Sequence, residues 1–294
     1  MASIREKKKS LKILIIDPYL TPYEADLRLR MDKYKETREQ LVGDCDICDF
    51  AQGYRYFGIH FEDGCGVYRE WAPGAVRMYF TGDFADWELF RYEMQNIGDG
   101  VFEIKLPRGL LCEGQKVQAI VIGESGEVLR RVPSYATRVV QDPVTYLWCC
   151  EVCDVVDDGF SWSDAGFAPP KTPYIYECHI GMATEEYKVG SYAEFERDVL
   201  PRVKALGYNT IQIMAVMEHP YYGSFGYQVS SFFAASSRQG TPTELKHLID
   251  TAHRMKIAVL LDVVHSHAVK NTGDGLNLFD GTEPLLLSSN RQQR

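Results

Sequence analysis

Three ionisable side chains follow one apolar run of the sequence within six residues. The run Ile257–Leu261 is partly β-branched, which is typical of a strand buried on both faces in a parallel sheet. Asp262, His265 and His267 come directly after it. Polar side chains at the carboxyl ends of barrel strands line active sites, whereas a stable core has no use for them there. In the alternative, Asp262 caps a turn and the histidines lie on the surface. That alternative suits a lone aspartate better than a cluster of three ionisable groups.

Strands and helices alternate along the chain that leads to this cluster. Tyr174–His179 and Thr210–Val216 are predicted strands, and capping boxes at Ser191 and Thr241 begin the helices that follow them. Pro201 must kink the first helix or begin a second segment. Such alternation predicts right-handed parallel units, which fit either a doubly wound sheet or a β/α barrel. No Gly-x-Gly-x-x-Gly motif follows the first strand, which disfavours a nucleotide-binding sheet.

Three other segments of the sequence lie within or before this region: a long connection, a polar N-terminal stretch and a proline-rich stretch. Met217–Gly240 is too long to be a simple connection and is predicted to be a functional loop. Residues 1–50 are predicted to be helical and polar, with one amphipathic helix from Tyr23 to Leu41 lying on the body of the protein. Gly166–Pro173 contains three prolines in five residues and is predicted to be an extended linker.

Between these parts, residues 51–165 show short alternating runs separated by turn residues, which predicts an antiparallel β-sandwich. The predicted strands are Val67–Trp71, Val76–Phe80, Phe102–Leu106, Val117–Val121 and Val128–Leu129. Trp71 and Trp87 lie near strand ends, where an aromatic ring can either fill the core or stack on the C–H face of a sugar. The two interpretations are equally supported for Trp71, whereas Trp87 is predicted to belong to the core.

Composition excludes several classes of function. The 294 residues are 45% hydrophobic and 25% charged, and no apolar run approaches the roughly 20 residues that cross a bilayer. A secretory signal is not expected at the lysine-rich start, and the net charge of −9 argues against nucleic acid as a partner. The eight cysteines do not show the regular spacing that is typical of a disulfide framework. A zinc site from Cys45, Cys48, Cys150 and Cys153 is the less favoured alternative to reduced thiols in a cytoplasmic protein.

Seven motifs occur in a fixed order along the chain. They are Arg69–Ala75 (REWAPGA), Thr81–Phe84 (TGDF), Tyr176–Gly181 (YECHIG), Met217–Tyr222 (MEHPYY), Ser224–Gln228 (SFGYQ), Phe232–Ala234 (FFA) and Asp262–His267 (DVVHSH). Together they closely resemble the eukaryotic glycogen (1,4-α-glucan) branching enzymes of the α-amylase clan. The resemblance runs from about Asp17 to Glu283.

The resemblance implies a multidomain fold of β and α/β parts. Its predicted regions are an N-terminal helical segment (1–50), a β-sandwich glycogen-binding module (51–165), the N-terminal part of a (β/α)8 TIM barrel (166–283) and an atypical tail (284–294). It also implies roles for single residues. Asp262 and His267 match the residues that contact the sugar before the cleaved bond, and Tyr227 matches the tyrosine that stacks on that sugar. The positions that match glucan contacts in the module are Trp71, Ala72, Pro73, Gly98, Asp99 and Gly100.

The resemblance also implies that the 294 residues do not include the two catalytic carboxylates of the family. Retaining glucan chemistry needs a nucleophile and an acid/base carboxylate, which the family carries after its fourth and fifth barrel strands. We therefore expect a truncated chain that is inactive by itself and leaves an unpaired strand edge and an exposed apolar face. The alternatives are a debranching hydrolase of the same clan and a non-catalytic glucan-binding or regulatory protein. Glycogen and linear α-1,4-glucan are the expected partners, with no cofactor, metal, nucleic acid or membrane.

Overall fold

The computed structural model describes residues 11–154 and 158–283, and the predicted tail at 284–294 lies outside them. The chain divides into two compact units, Met1–Gly53 and Tyr54–Arg294. The first unit contains α1 (Lys12–Ile16), a 3-10 turn (Pro18–Tyr23), α2 (Glu24–Val42) and α3 (Ile47–Phe50). The helix predicted from Tyr23 to Leu41 is therefore present as α2, while its predicted packing on the body stays a prediction.

The second unit begins with two antiparallel sheets. Their strands are β1 (Gly58–Glu62), β2 (Cys65–Trp71), β3 (Ala75–Gly82), β4 (Gln95–Gly98), β5 (Val101–Leu106), β6 (Lys116–Gly123), β7 (Val128–Arg131), β8 (Val139–Gln141) and β9 (Trp148–Glu151). One sheet has the order β1-β2-β5-β4, and the other has the order β3-β6-β9-β8 with β7 also paired to β6. Alternate residues of both sheets, such as Tyr68, Phe80 and Phe102, form one buried core. The predicted sandwich is confirmed.

A parallel sheet follows after residue 174. It has the order β10-β11-β14, formed by β10 (Ile175–Cys178), β11 (Thr210–Ile213) and β14 (Ala258–Leu261). The intervening helices are α4 (Tyr192–Glu194), α5 (Leu200–Ala205) and α6 (Pro242–Arg254). Both predicted capping boxes are present, at Ser191 and Thr241. Pro201 lies in the first turn of α5, after a π-helical turn at Phe195–Val199, so it begins a second segment as predicted.

The two faces of the parallel sheet differ in burial. Ile211, Ile213 and Val259 pack against the helices on the outer face. The inner face is open, because Glu177 and Leu260 there are exposed. The interpretation of the last strand as buried on both faces is therefore wrong for the described sheet, in which Leu260 and Leu261 are each 44% exposed. The exposed apolar face expected for an open barrel is present.

The predicted loop Met217–Gly240 contains secondary structure of its own. β12 (Met217–Glu218) pairs antiparallel with β13 (Ser231–Ala235), with a 3-10 turn at Tyr222–Ser224 between them. Tyr227 lies in the loop of this hairpin, between β12 and β13 in the sequence. This element was missed because a two-residue β12 and a short β13 give no clear alternation.

The segment after β14 returns to the sandwich and is fastened there by one buried arginine. Arg131, in β7, is only 1% exposed. Its guanidinium donates hydrogen bonds to the carbonyl oxygens of Thr272, Leu278 and Phe279. The Asp280 carboxylate, also buried, accepts a hydrogen bond from the backbone N–H of Gly74 at 2.7 Å. The sandwich and the parallel sheet are therefore joined by polar contacts as well as by packing.

Candidate functional site

Trp71 ends β2 at the surface, with its side chain fixed in place. The indole Nε1–H donates to the carbonyl oxygen of Asp99 at 3.1 Å, while 42% of the residue stays exposed. Pro73 is exposed beside it. A half-exposed ring with a satisfied N–H keeps a flat apolar surface available at little entropic cost. We call Trp71, Pro73 and the turn Gly98–Gly100 the Trp71 platform.

The turn in this platform requires its glycines. Gly98, Asp99 and Gly100 all have positive φ, at 108°, 51° and 76°. A Cβ on Gly100 would lie 2.7 Å from the Cα of Pro73, so only glycine allows this close approach. The sequence predicted that these residues act together, and the structure brings them together.

Ala72, between Trp71 and Pro73, contributes to the platform only through its backbone. It is completely buried, so its side chain has no surface to offer a ligand. Its backbone N–H donates to the carbonyl oxygen of Gly100 at 2.8 Å, and its carbonyl oxygen accepts from Ala75 at 3.0 Å. Ala72 therefore holds the platform in shape, and its predicted contact with glucan stays a prediction.

A buried carboxylate supports the platform from beneath. Glu70 is 1% exposed and accepts four hydrogen bonds. The donors are the backbone N–H groups of Trp71 and Ser134, the Ser134 hydroxyl and the Tyr68 hydroxyl. Burial raises the pKa of Glu70, although the hydrogen bonds from Ser134 and Tyr68 oppose the rise. Only the position of Glu70 next to Trp71 could have indicated this role from the sequence.

The second group of predicted residues lies at the carboxyl edge of the parallel sheet. The Tyr227 hydroxyl donates to the Asp262 carboxylate at 3.3 Å, and Tyr227 is 37% exposed. Burial and then the negative charge of Asp262 raise the pKa of Tyr227. An aromatic ring beside a carboxylate at a strand end offers an apolar face and hydrogen-bond acceptors to one ligand. The predicted association of Tyr227 with Asp262 is present in the structure.

His267 and His265 are placed differently. The His267 ring is exposed and its Nδ1 lies 2.8 Å from the Ser266 hydroxyl; within the described residues no hydrogen bond joins it to Asp262 or Tyr227. His265 stacks on Phe232, with ring centroids 6.0 Å apart. The role implied for His267 by the resemblance stays a prediction.

Two more polar residues lie on the same inner face. Glu177 in β10 pairs in register with Gln212 in β11, and the Gln212 amide lies 3.5 Å from the Glu177 carboxylate. The negative charge of Glu177 also contributes to the raised pKa of Tyr227. Sequence reasoning did not assign either residue, but strand alternation places Glu177 on the same face as Asp262.

Glu218, also in the motif region, is part of the scaffold. It is completely buried and accepts hydrogen bonds from the backbone N–H groups of His219 and Ser237. Arg238 lies 3.6 Å from its carboxylate and donates to the carbonyl oxygens of His219 and Pro220. Burial raises the pKa of Glu218. This network holds the hairpin that carries Tyr227.

Trp87 is the clearest departure from the prediction within the sandwich. It is only partly buried and lines an open pocket of about 430 Å3 with Lys116 and Arg130. Its indole N–H donates to the Asp83 carboxylate at 3.0 Å. Trp87 has a φ of 59°, and this turn carries the ring out of the sandwich. The prediction that it fills the core is therefore wrong.

The cysteines are free thiols, and burial raises the pKa of Cys149 to about 11. Within residues 11–154 and 158–283, no group of three or more histidine, cysteine or acidic side chains is arranged to hold a metal ion. In the same residues no helix is long and apolar enough to span a membrane.

The class of fold is defined by comparison with known structures. A putative α-amylase from Salmonella typhimurium matches with a TM-score of 0.61 and 25% identity over 76% of this chain and 35% of its own. A pullulanase from Bacillus acidopullulyticus matches with a TM-score of 0.57 and 20% identity over 72% of this chain and 30% of its own. Residues 56–143 match the family Carbohydrate-binding module 48 (Isoamylase N-terminal domain). The chain therefore combines an antiparallel sandwich, whose residues 56–143 match this family, with the first part of an α-amylase-like barrel.

The particular relatives are branching enzymes. The 1,4-alpha-glucan-branching enzyme of Equus caballus is 44% identical over 95% of this chain, and that of Yarrowia lipolytica is 41% identical over 93%. The enzyme of Solanum tuberosum is 41% identical over 95%. The resemblance to eukaryotic branching enzymes is thereby confirmed. The chain spans 41%, 41% and 34% of the length of these three relatives.

Proposed function

We propose that this chain serves in the branching of α-1,4-glucan, and that its 294 residues supply the glucan-binding part of that activity. The complete reaction would cut an α-1,4 link, hold the glucan covalently and transfer it to a 6-hydroxyl. Glycogen and linear α-1,4-glucan are the proposed partners, in the cytoplasm. The observation that carries the proposal is the pre-organised Trp71 platform within the carbohydrate-binding module.

The platform suits an α-glucan for a physical reason. The faces of glucose rings carry C–H groups that pack on an aromatic surface, while their hydroxyls need hydrogen bonds at the edge. Trp71 offers the aromatic surface, and its N–H is already satisfied by Asp99. The ring therefore needs no rearrangement to accept a sugar, which lowers the entropic cost of binding.

The carboxyl edge of the parallel sheet is proposed to hold the sugar before the cleaved bond. Tyr227 would stack on that sugar, and Asp262 and His267 would bind its hydroxyls. The Tyr227–Asp262 hydrogen bond supports this assignment because it orients both groups toward the same space. Retaining chemistry needs two carboxylates about 5 Å apart as nucleophile and acid/base. We assign neither role to Glu177 or Asp262.

The test is glycogen binding by the 294-residue protein, measured by affinity gel electrophoresis. Wild-type protein is expected to be retarded by glycogen, and Trp71→Ala is expected to lose most of the retardation. Trp162→Ala is the matched control, because Trp162 is 47% exposed and lies outside residues 56–143, the part of the chain that matches the carbohydrate-binding module family. Absence of retardation for wild-type protein, or equal loss in both variants, would contradict the proposal.

A further inference from the structure

The ends of three neighbouring strands meet at the loop that carries Tyr227. His179 directly follows β10, Ala215 lies two residues after β11, and Asp262 directly follows β14. The Tyr227 hydroxyl donates to the Asp262 carboxylate at the third of these ends. The first two ends hold the backbone just before Tyr227. The direction of the Tyr227 ring therefore depends on how that backbone is held.

His179 holds this loop by a hydrogen bond. Its Nε2 lies 3.2 Å from the carbonyl oxygen of Phe225, which is 46 residues further along the chain. A carbonyl oxygen can only accept, so Nε2 carries the proton and donates it. The two rings also meet edge to face, with centroids 5.8 Å apart. The Phe225 backbone is therefore fixed from the end of β10.

The other ring nitrogen of His179 favours the same tautomer. Nδ1 is buried, and no group within residues 11–154 and 158–283 forms a hydrogen bond with it. A proton on Nδ1 would therefore have no acceptor among these residues. Burial lowers the pKa of His179, which keeps the ring neutral at pH 7. The neutral imidazole thus has one N–H, and this N–H is directed at Phe225.

The backbone of the loop is strained where it contacts the end of β11. Phe225 has a φ of 54° and Ala215 has a φ of 42°, both in the left-handed region that residues other than glycine rarely adopt. Gly226 follows Phe225, and a Cβ on it would lie 2.9 Å from the Cβ of Ala215. Strained positions persist only where the surrounding contacts determine them. The hydrogen bond from His179 is the contact that reaches this backbone from β10.

From these contacts we propose that His179 is a positioning residue for the carboxyl edge of the sheet. By holding the Phe225 carbonyl, it fixes the Tyr227 ring against Asp262, in the orientation in which Tyr227 would stack on a sugar. Contact with a sugar rests on the function proposed above, whereas the link from His179 to Tyr227 is a property of the protein alone. His179 acts through Phe225 and is assigned no contact with the sugar.

The test follows the Tyr227 ring by NMR in the 294-residue protein labelled with ¹³C at the tyrosine Cζ. Tyr227→Phe assigns its signal, and Asp262→Ala gives the position of that signal when the hydrogen bond to Asp262 is lost. His179→Met and His179→Gln introduce side chains of similar volume, but only glutamine carries an N–H that can donate to Phe225. His179→Met should move the Tyr227 signal most of the way to its position in Asp262→Ala. His179→Gln should leave the signal close to that of wild-type protein.

His60→Ala is the matched control, because His60 makes the same kind of contact within the sandwich, from Nε2 to the carbonyl oxygen of Phe57 at 2.8 Å. It should leave the Tyr227 signal unchanged. A wild-type Tyr227 signal in both His179 variants would overturn the inference, and so would equal displacement in His60→Ala and His179→Met. If His179→Met does not fold, His179→Asn takes its place, because its shorter carboxamide does not reach the Phe225 carbonyl.

Titration with maltoheptaose separates this inference from the proposed function. The Tyr227 signal of wild-type protein should shift, and His179→Met should need about threefold to tenfold more maltoheptaose for half of its full shift. The Trp71 indole N–H signal should respond at the same concentrations in both proteins. If the wild-type Tyr227 signal does not respond, the proposed placement of a sugar at Tyr227 is wrong, while the Cζ comparison still decides the role of His179. If Tyr227 responds alike in both proteins, the inference is wrong and the proposed function stands.

Discussion

Replacing Glu70 by glutamine tests how the platform is supported. One carboxylate oxygen accepts from the Trp71 N–H and the Ser134 hydroxyl, and the other accepts from the Ser134 N–H and the Tyr68 hydroxyl. Glutamine has one acceptor oxygen and one donor NH2 group. Whichever way its amide lies, the NH2 group faces one hydroxyl and one backbone N–H. The hydroxyl can rotate to accept, but the backbone N–H loses its acceptor.

The expected cost follows from that one unsatisfied group. A buried donor left without an acceptor costs about 1–3 kcal/mol, so Glu70→Gln should lower the free energy of unfolding at pH 7 by about that amount. For a unit of this size, the melting temperature should fall by about 2–12 °C. Glu124→Gln, on an exposed turn, is the control and should change the stability by less than about 0.5 kcal/mol.

The difference in the free energy of unfolding between wild-type protein and Glu70→Gln should also depend on pH. Burial raises the pKa of Glu70 in the folded state, so the folded protein holds the proton more tightly than the unfolded chain does. That contribution to stability is fully present below the ordinary glutamate pKa of 4.5 and is lost as the pH rises through the folded-state value. The stability gap between wild-type protein and Glu70→Gln should therefore narrow as the pH rises from 4.5. Thermal melts across this range measure it. Equal stability at all pH values would refute the reasoning.

Two further predictions concern the contacts of Arg131 between the sandwich and the segment after β14, and the catalytic activity of the 294 residues. Arg131→Met should destabilise the second unit by about 2–4 kcal/mol, because three carbonyl oxygens lose a charged donor while the cost of burying the guanidinium is relieved. Chemical denaturation would measure this, with the half-exposed Arg91→Met as control; equal midpoints would contradict it. The 294 residues incubated with amylose should form no α-1,6 links, since the resemblance places the nucleophile and acid/base after barrel strands that follow β14. New links detected by debranching and chain analysis would show that a residue described here serves as nucleophile.

Local chemistry made much of the fold predictable. The capping boxes at Ser191 and Thr241 are satisfied within four residues of sequence, so the motif alone determines them. The sandwich strands follow from alternation in the same way. Trp87 was misplaced because its direction depends on a left-handed turn that residue type does not reveal. The pattern of the last strand fits a closed barrel, whereas the described sheet leaves its inner face open.

The site was predictable in its parts but not in its assembly. The motifs gave Trp71, Tyr227 and Asp262, since these residue types lie at strand ends. The support of the platform by Glu70 and the binding of the segment after β14 by Arg131 depend on contacts between distant segments. Ser134 is 64 residues from Glu70, and Phe279 is 148 residues from Arg131. Nothing in the local sequence specifies such pairs, because they form only when distant segments of the chain pack together.

The most direct test of glucan binding at the Trp71 platform is to follow the indole N–H resonances of the 294-residue protein during titration with maltoheptaose. Trp71 donates this N–H to Asp99 at the edge of the proposed platform, and Trp162 lies outside residues 56–143, which match the carbohydrate-binding module family. The resonance assigned through Trp71→Phe should shift and saturate, while that of Trp162 stays in place. A Trp71 resonance that does not move at saturating maltoheptaose would contradict the account.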